Sequence, residues 1–494
     1  MPTRCRRSRK DSSSNVSPEE YRAALREDFA GFIHRAFGEL CPRDSYQPNW
    51  HLDVLADRLE SVRRGAIRRL IVNLPPRHLK SLAASVALPA FWLGHDPSAQ
   101  IICASYGQEL ASKLSRDCRA LMRSSFYKQM FATRLSRTKA AMDEFETTAH
   151  GFRLATSVGG VLTGRGADVL IVDDPLKPEE AVSKTARERA NHWFDNTLYS
   201  RLNDKQAGAI VVIMQRLHED DLVGHVLKQE AWEVLRFPAI AEEDETFAYE
   251  TMDGARTAAR RKGEALHPAR EPLAALERVK TALGSYNFAG QYQQRPMPLE
   301  GGLVERAWFR TYEPEEAQAP FERIVQSWDT ANKASELADY SVCTTWGVRA
   351  KCFYLLHVLR RKLNYPELKR AVAAQQQAFA AQVVLIEDKA SGTPLIQELR
   401  AAGVMAARAV PVTGDKVMRL HAQTAAIENG FVFLPRAAHW LDDYVEELTL
   451  FPRGQHDDQV DSTAQALAYL TTLEDGWLAY ARSELERMKR RARW

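Results

Sequence analysis

Hydrophobic and polar positions change their period several times along the chain. Between residues 20 and 240, short continuous apolar runs alternate with longer stretches of helical period. The runs Arg69–Asn73, Gln100–Ser105, Val169–Asp173, Ala209–Met214 and Trp232–Phe237 read as strands, and Glu19–Leu40 and Trp50–Arg64 read as helices. Apolar strands separated by helices predict a mainly parallel sheet covered on both faces.

Residues 241–320 break that rhythm with charged runs (AEEDE, ARRKGE), prolines and the pair Gly301-Gly302. The pattern predicts a linker region with some helix in it. A second rhythm follows. Strand-like ERIVQSWD, SVCTTWGV and CFYLLHVL precede a helix at Pro366–Ala381, the strand VVLIEDK, a helix, a strand, a helix at Lys416–Asn429, the strand GFVFLP and two last helices. Three consecutive strands followed by α/β alternation predict a mixed sheet with an antiparallel edge. The expected organisation is a disordered basic arm at 1–18, an α/β domain at 19–240, the linker region at 241–320, a mixed-sheet domain at 321–475 and a basic helical tail at 476–494.

Composition changes this picture little. At 494 residues, 45% hydrophobic and 27% charged, the chain fits two or three ordinary globular domains. A net charge of +3 gives no global pull towards nucleic acid, so such contacts must come from local patches. The six cysteines form no C-x-x-C pair, which leaves zinc and a disulfide framework with little support and fits a reducing compartment. The basic, Ser-rich start lacks the apolar core of a secretory signal. No apolar run reaches the ~18 residues a membrane helix needs. The expectation is a cytoplasmic chain without membrane contact.

Candidate chemistry sits at strand ends. In LIVNLPPRHLKSLAAS (70–85), an apolar strand meets a turn and then Lys80-Ser81 at a helix start. A phosphate-binding loop has this outline: backbone N–H groups cradle phosphates, the Lys reaches their oxygens and the Ser hydroxyl holds Mg²⁺. Arg77 can add a contact. Leu74 and Leu79 replace the two customary glycines, and alone the stretch also reads as a Pro-rich turn with an exposed lysine. VLIVDD (169–174) strengthens the phosphate reading. The strand next to such a loop holds Mg²⁺ through its first acid, Asp173, and a second, Asp174, polarises water; the other reading is a strand that ends in solvated acids. AIVVIMQRLHEDD ends in Gln215-Arg216, a pair placed to sense a γ-phosphate or simply to enter a turn. The Gly-rich loop GGVLTGRGAD (159–168) offers Arg165 to phosphate or DNA.

Three acidic positions stand out after residue 320: Asp329 in VQSWDTA, Glu387 in VVLIEDKASG, and Asp457-Asp458 in QHDDQVDS. Neighbouring first and fourth strands, with a late helix across them, bring these acids together. Converging carboxylates bind two Mg²⁺ or Mn²⁺ ions roughly 3.5–4 Å apart, the arrangement for phosphodiester hydrolysis. Asp339 is a further candidate ligand. Singly, each acid also reads as a turn former or helix cap.

In order and spacing, LPPRHLKS, TGRGADVLIVDDPLKPEEA, VVIMQRLHEDDLVG, LGSYNFAGQYQQRPMPLEGG, SWDTA, VLIEDKASG and HDDQVDS resemble the large subunit of tailed-bacteriophage terminases, over about residues 25 to 475. The resemblance implies a P-loop ATPase domain with a mainly parallel sheet, then an RNase H-like mixed-sheet nuclease domain. It implies ATP and Mg²⁺ (or Mn²⁺) at both sites. It places Lys80 and Ser81 in the phosphate loop, Asp173 at Mg²⁺, and Asp329, Glu387 and Asp458 in the nuclease. Its implied partners are double-stranded DNA, a portal protein, a small terminase subunit and further copies in a ring on the procapsid, in the host cytoplasm. Asp174 stands where many members have Glu, so Glu179 and Glu180 are alternatives for polarising water. The basic stretch Met488–Arg493 is a candidate portal or DNA contact. A repair helicase–nuclease would share both sites, but no strand-separating helicase motifs are seen. A DNA-binding scaffold with a dead nucleotide site conflicts with the intact Lys80-Ser81/Asp173 set.

Overall fold

Residues 17–297, 302–313, 315–330, 340–388, 392–412, 414–454 and 456–472 are described by a computed structural model. Residues 1–16 of the expected arm, Asp339 and the tail at 476–494 lie outside them, whereas Ser17 and Pro18 of that arm cap and open a helix.

The apolar runs form one eight-stranded sheet. Its members in chain order are β1 (Arg69–Asn73), β2 (Gln100–Ser105), β3 (Leu135–Ala140), β4 (Glu144–Thr147), β5 (Phe152–Ser157), β6 (Val169–Asp173), β7 (Ala209–Met214) and β8 (Glu233–Arg236). The spatial order is β3-β4-β5-β2-β6-β7-β1-β8. The pairings from β5 to β8 are parallel, and β3–β4 and β4–β5 are antiparallel. Successive side chains go to opposite faces. Leu70, Val72, Val169, Ile171, Val211 and Ile213 enter one core, and Ile71, Leu170, Val172, Ile210 and Val212 enter the other. Both faces are dry, which is why these strands read as unbroken apolar runs. Truncating a buried residue such as Ile171 to Ala is expected to cost about 2–5 kcal/mol.

Three expectations need correction. The helical stretch 19–40 is two helices, Pro18–Glu27 and Phe29–Leu40, separated by Asp28 in an extended conformation. The stretch 416–429 is likewise two, Lys416–His421 and Thr424–Glu428. The strand holding Asp173 is not beside the strand that feeds the phosphate loop, because β7 stands between them.

The region 241–320 contains more than linker. A hairpin of β9 (Glu245–Thr251) and β10 (Gly254–Arg260) is followed by a helix, Leu273–Gln291. Then β11 (Arg310–Tyr312) joins the second sheet. The helix is broken at Gly284, whose φ of 77° lies outside the helical region. There the amide of Ser285 donates to Glu428 Oε2 at 2.9 Å, and Asn429 Nδ2 donates to Thr281 O at 2.6 Å. Beyond the helix end, Gln294 Oε1 accepts from the Arg216 amide at 2.9 Å, just past β7.

The second sheet contains β11, β12 (Arg323–Asp329), β13 (Ser341–Arg349), β14 (Cys352–Arg361), β15 (Val383–Glu387), β16 (Ala407–Val410) and β17 (Val432–Pro435), in the order β11-β17-β14-β13-β12-β15-β16. β12–β13 and β13–β14 are antiparallel, and β12–β15 and β15–β16 are parallel. Residues 458–472 form a helix on this sheet. Ser462 Oγ donates to Ser327 O at 2.8 Å and Gln465 Nε2 donates to Ser327 Oγ at 2.9 Å, which lays the helix start across the strand ends.

Candidate active sites: two acidic centres

The first centre lies at the carboxyl ends of β1, β6 and β7. After β1 the chain turns through Leu74–Leu79 and enters a helix at Lys80. Arg77 and Leu79 have φ of 65° and 62°, the left-handed region that glycine enters most easily. Leu79, at the second customary glycine position, thus takes a glycine-like backbone with a leucine side chain, at a cost of about 1–2 kcal/mol. Leu74 has no positive φ and is fully buried.

The turn delivers Lys80 to within 2.9 Å of Asp174 Oδ1. Ser81 Oγ donates to Asp173 Oδ1 at 3.0 Å and Ser85 Oγ donates to Asp173 Oδ2 at 2.7 Å. Burial first, and then the charge of Asp174, push the Asp173 carboxyl up to about 7, against the pull of the two hydroxyls and Lys80. A hydroxyl and a carboxylate side by side are the pair that holds a nucleotide-bound Mg²⁺ in such sites, so this donor set fits that ion. Asp174 has φ 45°, and its backbone is tied on both sides: its N–H donates to Ile213 O and its C=O accepts from the Tyr106 amide, each at 3.0 Å.

The other nucleotide candidates fall as follows. Gln215 is buried beside Asp174, and its Oε1 has no partner among the described residues. The Arg216 guanidinium is held by Asp221 at 2.9 Å rather than turned to Asp174. Arg77 is exposed. Arg165 pairs with Glu144 at 2.6 Å. Glu180 lies 3.6 Å from Arg189, and Glu179 lines the cleft described below, whereas Asp174 stands against Lys80.

The second centre lies where β12, β15 and the 458–472 helix meet. Trp328 pairs with Ile386 in the parallel ladder, so Asp329 and Glu387, the next residues, emerge side by side. Burial, then Asp461, Glu387 and Asp458, raise the Asp329 carboxyl well above the usual range, with Lys416 opposing. Burial, Glu447 and Asp457 raise Asp458 to about 6, against Arg360 and Lys416. The centre therefore includes Asp461, which was not singled out from the sequence. Its signal was the spacing: in DDQVD, Asp461 follows Asp458 by three residues and shares its helix face.

Cations also converge here. Arg419 donates to Glu387 Oε1 at 2.9 Å and to Asp461 Oδ1 at 2.5 Å. Lys416 reaches Asp457 Oδ1 at 2.6 Å and Asp461 Oδ2 at 2.9 Å. Asp457 is thus turned to Lys416, while Asp458 has Arg360 at 4.0 Å. Buried and half-buried carboxylates drawn from three elements are a hard-oxygen donor set that suits Mg²⁺ or Mn²⁺. A cleft of about 1030 Å³ opens beside the centre, lined among others by Glu387, Arg419 and Gln465 and, from across the molecule, by Glu179, Asn287 and Gln291.

No curated protein matches the chain. Among solved structures it is similar to the large terminase of a thermophilic bacteriophage (10% identity, 88% of this chain and 97% of that one, TM-score 0.47) and to the HK97 bacteriophage large terminase (11%, 83% and 90%, TM-score 0.36). It is also similar to the large terminase nuclease of the thermophilic phage G20c with bound zinc (24%, 30% and 80%, TM-score 0.24). At these scores the likeness assigns no residue a role. The family model is more specific: residues 326–470, which run from within β12 through β17 and include the acids of the second centre, match the terminase RNase H-like domain.

Proposed function

We propose that this chain is the large subunit of a phage terminase, an ATP-driven translocase of double-stranded DNA whose second centre cuts that DNA. One observation carries the reading: a match to the terminase RNase H-like domain, with converging acids, is joined in one chain to a sheet at whose edge Lys80 meets Asp174 and Ser81 meets Asp173. Neither centre alone distinguishes a packaging motor from a simple nuclease or a simple ATPase.

At the first centre, nucleotide phosphates compete with Asp174 for Lys80. Once Lys80 turns to them, the Asp174 carboxylate is released 2.9 Å from where the ammonium lay. It is then free to orient a water molecule and accept its proton. Ser81 and Asp173 would hold the Mg²⁺ that offsets the phosphate charge. Gln215, whose backbone amide lies 3.4 Å from Asp174 Oδ1 and whose carboxamide oxygen has no partner among the described residues, is the candidate to register whether the terminal phosphate is present.

At the second centre, Asp329, Glu387, Asp458 and Asp461 would hold the divalent ions, with Asp457 as an outer candidate; Asp339, outside the described residues, is a further proposed ligand. Bound ions supply the activated water and stabilise the leaving oxygen in phosphodiester hydrolysis. Arg419 and Lys416 pair Glu387, Asp457 and Asp461, and would yield these carboxylates to bound ions. Portal protein, small subunit, ring assembly and work on the procapsid in the host cytoplasm belong to the same proposal.

The test is packaging of linear DNA into purified procapsids with the wild-type chain, Lys80→Ala and Asp329→Asn. The reading expects uptake only with an intact first centre, and mature-length ends only with an intact second one. Uptake by Lys80→Ala equal to wild type would refute it.

A further inference from the structure

Three histidines from distant parts of the chain meet behind the phosphate loop. His51 is the second residue of the helix Trp50–Arg63, His78 lies in the loop between Arg77 and Leu79, and His267 follows the β9–β10 hairpin. They are 0%, 3% and 5% exposed. One ring nitrogen of each lies within 4.8 Å of the other two. Ring centroids are 5.3 Å apart for His51–His78, 5.5 Å for His51–His267 and 6.3 Å for His78–His267. His51 Nε2 and His267 Nε2 have no hydrogen-bond partner among the described residues, and neither has Glu271 Oε2, which lies 3.8 Å from His78 Nε2.

Buried polar atoms are normally paired, and two imidazole nitrogens without partners in one small space call for an occupant. A cavity of about 20 Å³ touches all three rings, which is room for one ion or one water. We propose that this cluster is a zinc-type metal site, with His51, His78 and His267 as ligands and Glu271 at its edge.

The chemistry agrees in several respects. Imidazole suits Zn²⁺, and tetrahedral Zn–N bonds set ligand nitrogens ~3.3 Å apart, so each ring has to move inward by only roughly 1 Å. His78 Nδ1–H donates to Pro76 O at 2.9 Å, which leaves Nε2 with its lone pair towards the cluster. Burial keeps all three rings neutral, as ligands must be. Two features oppose. Arg270 adds positive charge nearby. Asn49 Nδ2 lies 2.5 Å from His51 Nδ1 and also donates to Leu266 O. Binding at Nε2 moves the ring proton to Nδ1, and the Asn49 carboxamide then turns its oxygen to it and gives up Leu266. One buried ion would tie the phosphate loop to an N-terminal helix and to the segment after the hairpin. It would hold His78 between the two left-handed residues of the loop.

The proposal rests on the histidines and not on the ATPase reading. Its test uses the full chain carrying Asp329→Asn, Glu387→Gln and Asp458→Asn, so that the acidic centre takes up no zinc. Metal-stripped protein is exposed to Zn²⁺ alone, desalted and analysed for zinc. One zinc per chain is expected. His267→Ala and His51→Gln should each weaken binding by ~100-fold or more, since a ligand is lost. Asp173→Asn, which removes the carboxylate proposed for Mg²⁺, should leave the zinc count unchanged, which separates this site from the nucleotide site. Co²⁺ in the unmutated histidine set should give the visible bands of a tetrahedral nitrogen site, a readout that does not depend on either variant folding. No retained zinc and no such bands, or as much zinc in both histidine variants as in the parent chain, would show that the cluster is not a zinc site.

Discussion

The two acidic centres solve the same electrostatic problem in opposite ways. In the first, each carboxylate has a short-range partner of its own: Asp173 has two hydroxyls and Asp174 has Lys80. In the second, Asp329, Glu387, Asp458 and Asp461 crowd one another, and shared cations offset them: Arg419 spans two acids and Lys416 spans Asp457 and Asp461. A one-to-one pairing is exchanged by moving a single side chain, which suits a ligand that arrives with its own charge and leaves once per cycle. A crowded set remains unbalanced until cations of higher charge enter it. The comparison predicts that the first centre responds to nucleotide and the second to metal concentration.

The largest effect tests the first half of that contrast. Lys80→Ala should reduce ATP turnover ~100-fold or more, the usual result of removing a transition-state charge contact, while plasmid cleavage in Mn²⁺ continues. Turnover near the wild-type rate in a folded variant would break the one-to-one picture. The mirror experiment follows. Asp329→Asn, Glu387→Gln or Asp458→Asn should each abolish cleavage and spare ATPase. The melting temperature of the wild type, but not of the triple variant, should rise with Mn²⁺ by linkage; an equal rise in both would remove the shared metal site. Asp174→Asn is expected to bind ATP and turn it over slowly. Full activity there, with Glu179→Gln inactive, would move the base to the following segment.

A pH titration sharpens the contrast further. The Asp173 carboxyl sits at about 7 in the folded chain, above its ordinary value of 3.8. The folded state therefore holds a proton that the unfolded chain has released. Its contribution to stability is fully present below about pH 4 and is lost as pH rises towards 7. Asp173→Asn should flatten that part of the metal-free stability curve, and an unchanged slope would show that the carboxyl is not buried as described. The smallest effect is Gly284→Ala. A Cβ there would lie 2.9 Å from Glu428 Oε2 on a backbone of φ 77°, so a loss of about 1–2 kcal/mol is expected in the melting transition of the full chain.

How much of this was legible follows from burial. β1, β2, β6 and β7 are enclosed on both faces, and such strands carry an unmistakable apolar run. β3, β4, β5, β9 and β10 went unread because LSRTKA, EFET, FRLATS, ETFAYET and GARTAAR carry no continuous apolar run: β3 is an edge strand, β9 and β10 form an exposed hairpin, and β4 and β5 break their apolar positions with charged or hydroxyl side chains. Lys80, Ser81, Asp173, Asp329 and Glu387 could be named because strand ends are marked in the sequence. Arg419, Lys416, Ser85 and Asp461 sit inside helices, where only tertiary packing decides which face matters. The histidine cluster has no sequence signature at all, since its members are 27 and 189 residues apart, the separations of His51–His78 and His78–His267.

The broken helix Leu273–Gln291 shows what such tertiary decisions imply. An unbroken helix would satisfy the Ser285 amide within itself; the break at Gly284 releases that amide, and Glu428 of the second sheet's domain takes it. The joint between the two halves of the molecule is therefore made from a local frustration, a place where the segment's own best conformation and the whole chain's best conformation disagree. Helix-favouring residues at Gly284 should improve the isolated segment by up to about 1 kcal/mol and loosen the protein that contains it. Selection for a stiffer helix and selection for a joined molecule pull this position in opposite directions.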